Sequence, residues 1–349
     1  MNRSQESMKA LMEMFSGIPF AKYHAAGNDF VVMSDYLSEA ERKAARKLLV
    51  PTPSRRVPLR RMMQGNGAMV IFPPPKVVRS ICDRHTGMGA DGLVVMSVPG
   101  DQRHQGRMRI FNADGSEAEM SGNGIRCAAA YLLENARARP ESNPRHRVAK
   151  RAGRLRKLEI ETAAGVKSVL VVKAEERRWV FRVGMGEPIL QAEKIPFKGS
   201  TGHSSVIEFP LETSRGILKV TVTSMGNPHC TVPVSDFDAL DWVSLGREIE
   251  TSQLFPNRTN VEFVRVISRK EIEVRFWERG VGKTQSSGTG SCAAVVACVL
   301  NGWTGRKVRV RTLAGTLEVA WPEGKEVTLT GPVELIARGT YYFSNRRDR

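Results

Sequence analysis

Two stretches of this chain share a design that could hold an anion and move a proton. Residues 111–130 read FNADGSEAEMSGNGIRCAAA, and from Phe276 the plan returns as FWERGVGKTQSSGTGSCAA. Each runs from a Phe through a polar loop to Ser-Gly-(Asn/Thr)-Gly and then into a Cys-Ala-Ala helix opening, with Ser121 and Ser287 in the same place. The first N–H groups of a helix have no partner within the helix, and the helix dipole leaves that end partly positive. Glycines let a ligand approach those amides closely, so such a turn can seat an anion. One copy would be read as an ordinary N-cap and tight turn. Two copies predict two helix ends converging on one ligand, with a hydroxyl on either side of it. Polar groups flanking one carbon are what is needed to remove a proton from one face and return one to the other.

The rest of the chain must position those turns. Its 349 residues suffice for two domains with real cores, and the internal repeat argues for two. No apolar run is long enough for a transmembrane helix, and the N-terminus lacks the apolar core and cleavage site of a signal peptide. The five cysteines (Cys82, Cys127, Cys230, Cys292 and Cys298) are scattered and lack metal-type spacing, which predicts free thiols in a reducing cytoplasm and no metal. The net charge of +17 sits mostly in two segments, with eight Lys/Arg in residues 42–61 and nine in 137–157. Neither has the aromatic interleaving of a stacking surface, so solvated insertions are expected at about 37–78 and 137–157 rather than a dedicated nucleic-acid site.

In chain order, residues 19–36 predict two strands about a Gly-Asn turn at 27–28. A short basic helix over LSEAERKAARKLL, a Gly-rich loop at His85–Gly92 and a strand at Leu93–Val98 follow. Strands dominate from Leu158, with a second Gly-Asn turn at 226–227 and helices expected at about 124–138, 238–249 and 290–302. Short strands with one helix per half predict an α/β fold of the α+β type: two pseudo-symmetric domains, each a curled, mostly antiparallel sheet around a central helix. The expected division is an extension at 1–18, a first domain at 19–155 and a second at 156–334.

With these elements in place, the chain resembles the diaminopimelate epimerase family. The matching runs are HAAGNDF (24–30), DRHTGMGADG (83–92), FNADGSE (111–117), SGNGIRC (121–127), MGNPHC (225–230), RTNVEF (258–263) and ERGVGKTQSSGTGSCAA (278–294). The resemblance implies an active site in the interdomain cleft, a final strand (335–345) returning to the first domain, and commonly a homodimer. It implies inversion of one α-carbon of diaminopimelate, on the route to lysine and peptidoglycan, without cofactor or metal. It places the α-carboxylate on the amides of Gly122–Asn123 and Gly288–Thr289. Asn28 and Asn227 fall at substrate contacts, Asn112, Asn260, Glu278 and Arg279 at the distal amino-acid end, and His229 and Glu278 beside the acid–base pair.

In that family the acid and base are cysteines, each just before the Gly of its G-x-G turn. Here both are serine, Ser121 and Ser287, and Lys283 stands where a Glu is usual. A thiol starts near pKa ~8.5 and a helix N-terminus lowers it, whereas a serine hydroxyl needs an adjacent base. Three accounts stay open: engineered Cys→Ser replacements that trap a ligand, a lineage of racemases or isomerases using activated hydroxyls, and an amino-acid-binding homologue without turnover. Cys127 and Cys292 belong to the second Cys position of each motif and are expected to pack. The bland account of Asn28 and Asn227 is that Asn tolerates left-handed backbone angles.

Overall fold

The computed structural model describes residues 18–34, 73–138, 157–199 and 205–342. The expected N-terminal extension, the basic helix near residue 40 and nearly all of both basic segments lie outside these residues.

The first half builds a closed ring of strands. Strands β1 (Ile18–Ala25) and β2 (Asn28–Ser34) form a hairpin, and β2 pairs in parallel with β3 (Gly92–Ser97). Antiparallel β4 (Gly106–Asn112) follows, carrying the two-residue β5 (Glu117–Ala118) on one side and β6 (Lys157–Thr162) in parallel further along. Strands β7 (Gly165–Ala174) and β8 (Arg178–Gly186) continue the meander. At the centre runs helix α2 (Gly122–Ala138), whose Ile125, Cys127, Ala128, Ala129, Ala130 and Leu133 are buried. Its small side chains let strands close around it on every side.

Helix α1 (Pro75–Cys82) covers the outer face of the ring, packing Val77, Val78 and Ile81 against Val31, Leu93 and Phe111. The insertion expected through residue 78 therefore gives way to core structure at Pro75. This helix also explains why β3 is buried at every position rather than alternately: it is covered on both faces, the pattern of parallel strands.

The second half repeats the scheme. Strands β9 (Val206–Thr213), β10 (Gly216–Ser224) and β11 (Pro228–Pro233) lead to β12 (Asn260–Ser268), which is parallel to β11 and antiparallel to β13 (Glu271–Glu278). Then come β14 (Gly282–Thr284), β15 (Lys307–Thr312) and β16 (Gly315–Ala320). Helix α3 (Trp242–Glu250) covers the outside, and α4 (Gly288–Leu300) fills the centre. Helix α4 reads GTGSCAAVVACVL and is buried almost all round, as an apolar helix without a polar face must be.

One strand joins the halves. β17 (Val327–Tyr341) pairs with β16 through Thr328–Thr330, with β8 through Val327–Glu334, and with β1 through Glu334–Tyr341. It closes the first ring and edges the second sheet. The fold is thus mixed α+β, two similar sheets each curled about a helix.

The 98–105 loop hangs on Glu161 in β6. Burial alone would push this carboxyl up, but hydrogen bonds from His104, the amides of Asp101 and Gly100, and Arg107 hold it down to about 2. A depressed carboxylate contributes stability above its unfolded pKa and loses it as pH falls through the folded value. Glu161→Gln is expected to cost about 2–3 kcal/mol in urea unfolding at pH 7. The difference between variant and parent should shrink as pH falls toward 2 and vanish below it, and a pH-independent difference would count against this account.

Candidate active site at two facing helix N-termini

Both signature turns fold as N-caps. Ser121 Oγ accepts from the Gly124 amide at 3.1 Å, and Ser287 Oγ accepts from the Gly290 amide at 3.2 Å. The two helix starts meet: a methyl group built on Gly288 would lie 3.3 Å from Gly122 Cα and 3.5 Å from Leu329 Cδ2. A side chain there would press on the facing turn, so glycine suits this approach. The helices begin at Gly122 and Gly288, two residues before the expected starts, because the serine and not the second glycine is the cap.

Around the first turn, Asn123 donates Nδ2–H to Asn28 Oδ1 at 2.6 Å, and Asn28 donates to Asp91 Oδ2 at 3.1 Å. Asp91 in turn holds Arg84 with Asp29. Asn123 Oδ1 accepts from Arg126 Nη2 at 2.7 Å. Arg126 is fully buried, its Nε and Nη1 have no partner, and burial lowers its pKa to about 10. A side chain on Gly331 of β17 would meet the guanidinium at 3.1 Å, so glycine makes the room.

Around the second turn, His229 and Glu262 form a buried pair on neighbouring parallel strands, Nδ1 to Oε1 at 2.7 Å. His229 Nε2 faces Asn227 Oδ1 at 3.0 Å. Burial pushes the Glu262 carboxyl up, opposed by His229. The half-buried Glu278, at the end of β13, interacts with the Ser287 hydroxyl. Burial raises its pKa, with that hydroxyl, the Thr284 hydroxyl and His229 pulling the other way. Glu262 Oε1 lies 2.9 Å from where a Gly290 side chain would begin, and Ser287 Oγ lies 3.0 Å from the same point. Ser287, Glu262, His229 and Glu278 thus form one cluster.

The distal-end residues are less free than the sequence suggested. Asn260 donates to the Pro228 carbonyl at 2.9 Å and accepts from the Arg279 amide at 3.0 Å, so its side chain already braces the backbone. Arg279 is exposed and holds the Asn257 carbonyl at 3.1 Å. Asn112 is exposed and donates to Ser116 Oγ at 2.9 Å. Thr289 is half-buried in the first turn of α4. Lys283 lies over the Trp242 ring at 5.3 Å.

Several expectations are refined. Positive φ occurs at Ala26, Gly27 and Gly226, not at Asn28 or Asn227, so backbone tolerance does not explain those asparagines. The first turn is Ala26-Gly27, with Asn28 already paired in β2. Cys127 and Cys292 are buried thiols that burial pushes up to about 12, which leaves them no thiolate near neutral pH. Sequence reasoning passed over Glu262 and Arg126. The available signal was a charged residue inside an apolar run, VEFV and GIRCAAA, which demands a buried partner. Among the described residues no group of His, Cys, Asp or Glu could hold a metal ion, and no helix is long and apolar enough to cross a membrane.

This fold recurs in solved structures of distant sequence. It is shared with a hydroxyproline epimerase from Agrobacterium vitis solved with bound trans-4-hydroxy-L-proline, at TM-score 0.58 and 14% identity over 93% of this chain and 92% of that one. It is shared also with a methylitaconate-delta-isomerase, at TM-score 0.51 and 14% identity over 93% and 95%. Sequence narrows the class. The diaminopimelate epimerase family model matches residues 64–190 and 221–336. The diaminopimelate epimerase of Pelotomaculum thermopropionicum is 46% identical over 267 residues, 76% of this chain and 89% of that protein. That of Moorella thermoacetica is 39% identical over 323 residues, 92% and 98% of the two chains. The chain belongs to the diaminopimelate epimerase family.

Proposed function

We propose that the protein is a cofactor-independent epimerase acting on one α-carbon of diaminopimelate, with Ser121 and Ser287 in the two acid–base positions. One observation carries this reading: two capped helix N-termini face each other at Gly122 and Gly288, each with a hydroxyl beside it. Amides at Gly122–Asn123 and Gly288–Thr289 would seat the α-carboxylate and take up the charge that develops on it when the α-proton leaves. Asn28 and Asn227 would flank the reacting amino-acid end. Arg279 would offer the distal carboxylate a planar fork, with Asn112, Asn260 and Glu278 around the distal amino group. His229 and Glu278 would support the acid–base pair. The five buried free cysteines support a reducing, cytoplasmic setting. A homodimer is the expected assembly, to be read as a doubled mass in sedimentation.

The test is deuterium uptake at the α-carbon of L,L-diaminopimelate in D₂O, followed by mass spectrometry with the full chain. Uptake above the protein-free control is expected, and Ser287→Ala should reduce it by ~10²-fold or more, the range for loss of a general acid–base group. Binding without any uptake would mean that the scaffold holds the ligand and does not turn it over.

A further inference from the structure

The two halves repeat each other in strand register around the facing helix ends. In the first, Phe111 pairs with both Leu93 and Glu117; in the second, Trp277 pairs with Val261 and Lys283 in the same way. The next residues, Asn112 and Glu278, are therefore counterparts, and each stands at the same spacing before its serine. On the parallel strand pairs, Phe30 faces Gly92 as His229 faces Asn260. Phe30 is thus the counterpart of His229, and two residues on, Val94 is the counterpart of Glu262. All three proton-handling groups of the second half, Glu278, His229 and Glu262, correspond to Asn112, Phe30 and Val94, none of which titrates. Each serine hydroxyl accepts from an amide of its own helix, Gly124 or Gly290, but the surroundings differ: the space beside Gly290 is met by Glu262 Oε1 at 2.9 Å and Ser287 Oγ at 3.0 Å, whereas the space beside Gly124 is met by Ile110 Cδ1 and Ser121.

We infer that proton exchange in this chain is one-sided: Ser287, coupled to Glu278, exchanges the α-proton on its face, while Ser121 on the opposite face does not. The inference rests on the epimerase reading above. In the step, the α C–H bond breaks as Ser287 Oγ takes the proton, and the hydroxyl proton of Ser287 passes to the Glu278 carboxylate. The electron pair released moves onto the α-carboxylate as an enediolate held by the helix-end amides. Glu278 is half-buried, so its proton exchanges with water, and the substrate-derived proton now on Ser287 Oγ is swapped for a solvent proton through Glu278 before the sequence reverses. Ser287 then returns a solvent-derived proton to the face it left. Inversion requires a proton from Ser121, whose hydroxyl has no base to restore it and donates slowly. Labelling with retained configuration should outrun inversion.

The experiment incubates the full chain in D₂O separately with L,L- and meso-diaminopimelate. α-Deuterium is read by mass spectrometry and configuration by chiral chromatography, with binding checked by calorimetry. One isomer is expected to gain deuterium at least ~10-fold faster than it inverts, and at least ~10-fold faster than the other isomer, a gap set by a missing general acid. Glu278→Gln should suppress that labelling by ~10²-fold or more. Ser121→Cys alone should raise inversion, because the thiol supplies the missing proton, whereas Ser287→Cys alone should raise labelling more than inversion. Labelling at similar rates in both isomers, or in step with inversion, would overturn the one-sided account and leave the epimerase reading standing. Binding of both isomers without label in either would overturn the epimerase reading, and this inference with it.

Discussion

The Ser121→Cys, Ser287→Cys double variant is expected to invert L,L-diaminopimelate on the order of 10³-fold faster than the parent chain, the middle of the range for a positioned acid–base pair. Both side chains sit at helix N-caps, where the unpaired amides and the dipole favour a thiolate over a thiol. Sulfur and oxygen differ little in reach, and each side chain is already held on the first-turn amide of its own helix, beside the point where the two helix starts meet. The change therefore alters chemistry and leaves the scaffold as it is. It also removes the asymmetry between the halves, since a thiol handles its proton without a carboxylate neighbour. Chiral chromatography of the product reads the outcome. A double variant that folds, binds diaminopimelate and still fails to invert it would remove the two serines from the acid–base positions.

Glu262→Ala is expected to cost about 3–5 kcal/mol of folding stability, the range for removing one partner of a buried ion pair. Glu262 and His229 are both inaccessible, and the carboxylate supplies the 2.7 Å contact that anchors the imidazole. Its loss leaves a polar ring buried beside a cavity, with only Asn227 to orient it. Glu262→Gln keeps the volume and one acceptor, so its cost should be less than half as large. Urea unfolding of the parent and both variants measures this. A cost below about 1 kcal/mol for the alanine variant would mean that the pair contributes orientation without stability.

The helix ends were legible because serine, glycine and alanine act locally there: capping and close approach depend on residues within four positions of one another. The start of α3 was less so. Asp238 looked like a helix start, but the carboxylate that accepts from the third residue on is Asp241, and helix begins at Trp242. Glu262 was hidden for a different reason. Its partner lies 33 residues away on a parallel strand, and a parallel register is set by a crossover that the sequence does not spell out. The same applies to the closing strand. A break near residue 334 seemed natural, yet β17 runs on without interruption because its partners change along its length. Pro332 falls between Thr330, its last rung with β16, and Glu334, its first with β1. A residue without an N–H donor suits that gap.

That closing strand has a consequence for how the protein is made. Ile18 pairs with Tyr341, 323 residues further on (341 − 18), so the first ring lacks its last stave until that stretch has been translated. At ordinary elongation rates of ~5–20 residues per second, the opening hairpin waits roughly 15–60 s for its partner. During that interval β1 and β8 both present unpaired edges, the condition under which strands add to the wrong neighbour. Charged residues along those edges, Lys22 on β1 and Arg178 and Arg182 on β8, are placed to discourage such pairing on the ribosome. The enzyme's two halves therefore become a ring and a sheet together, in one event that waits for β17.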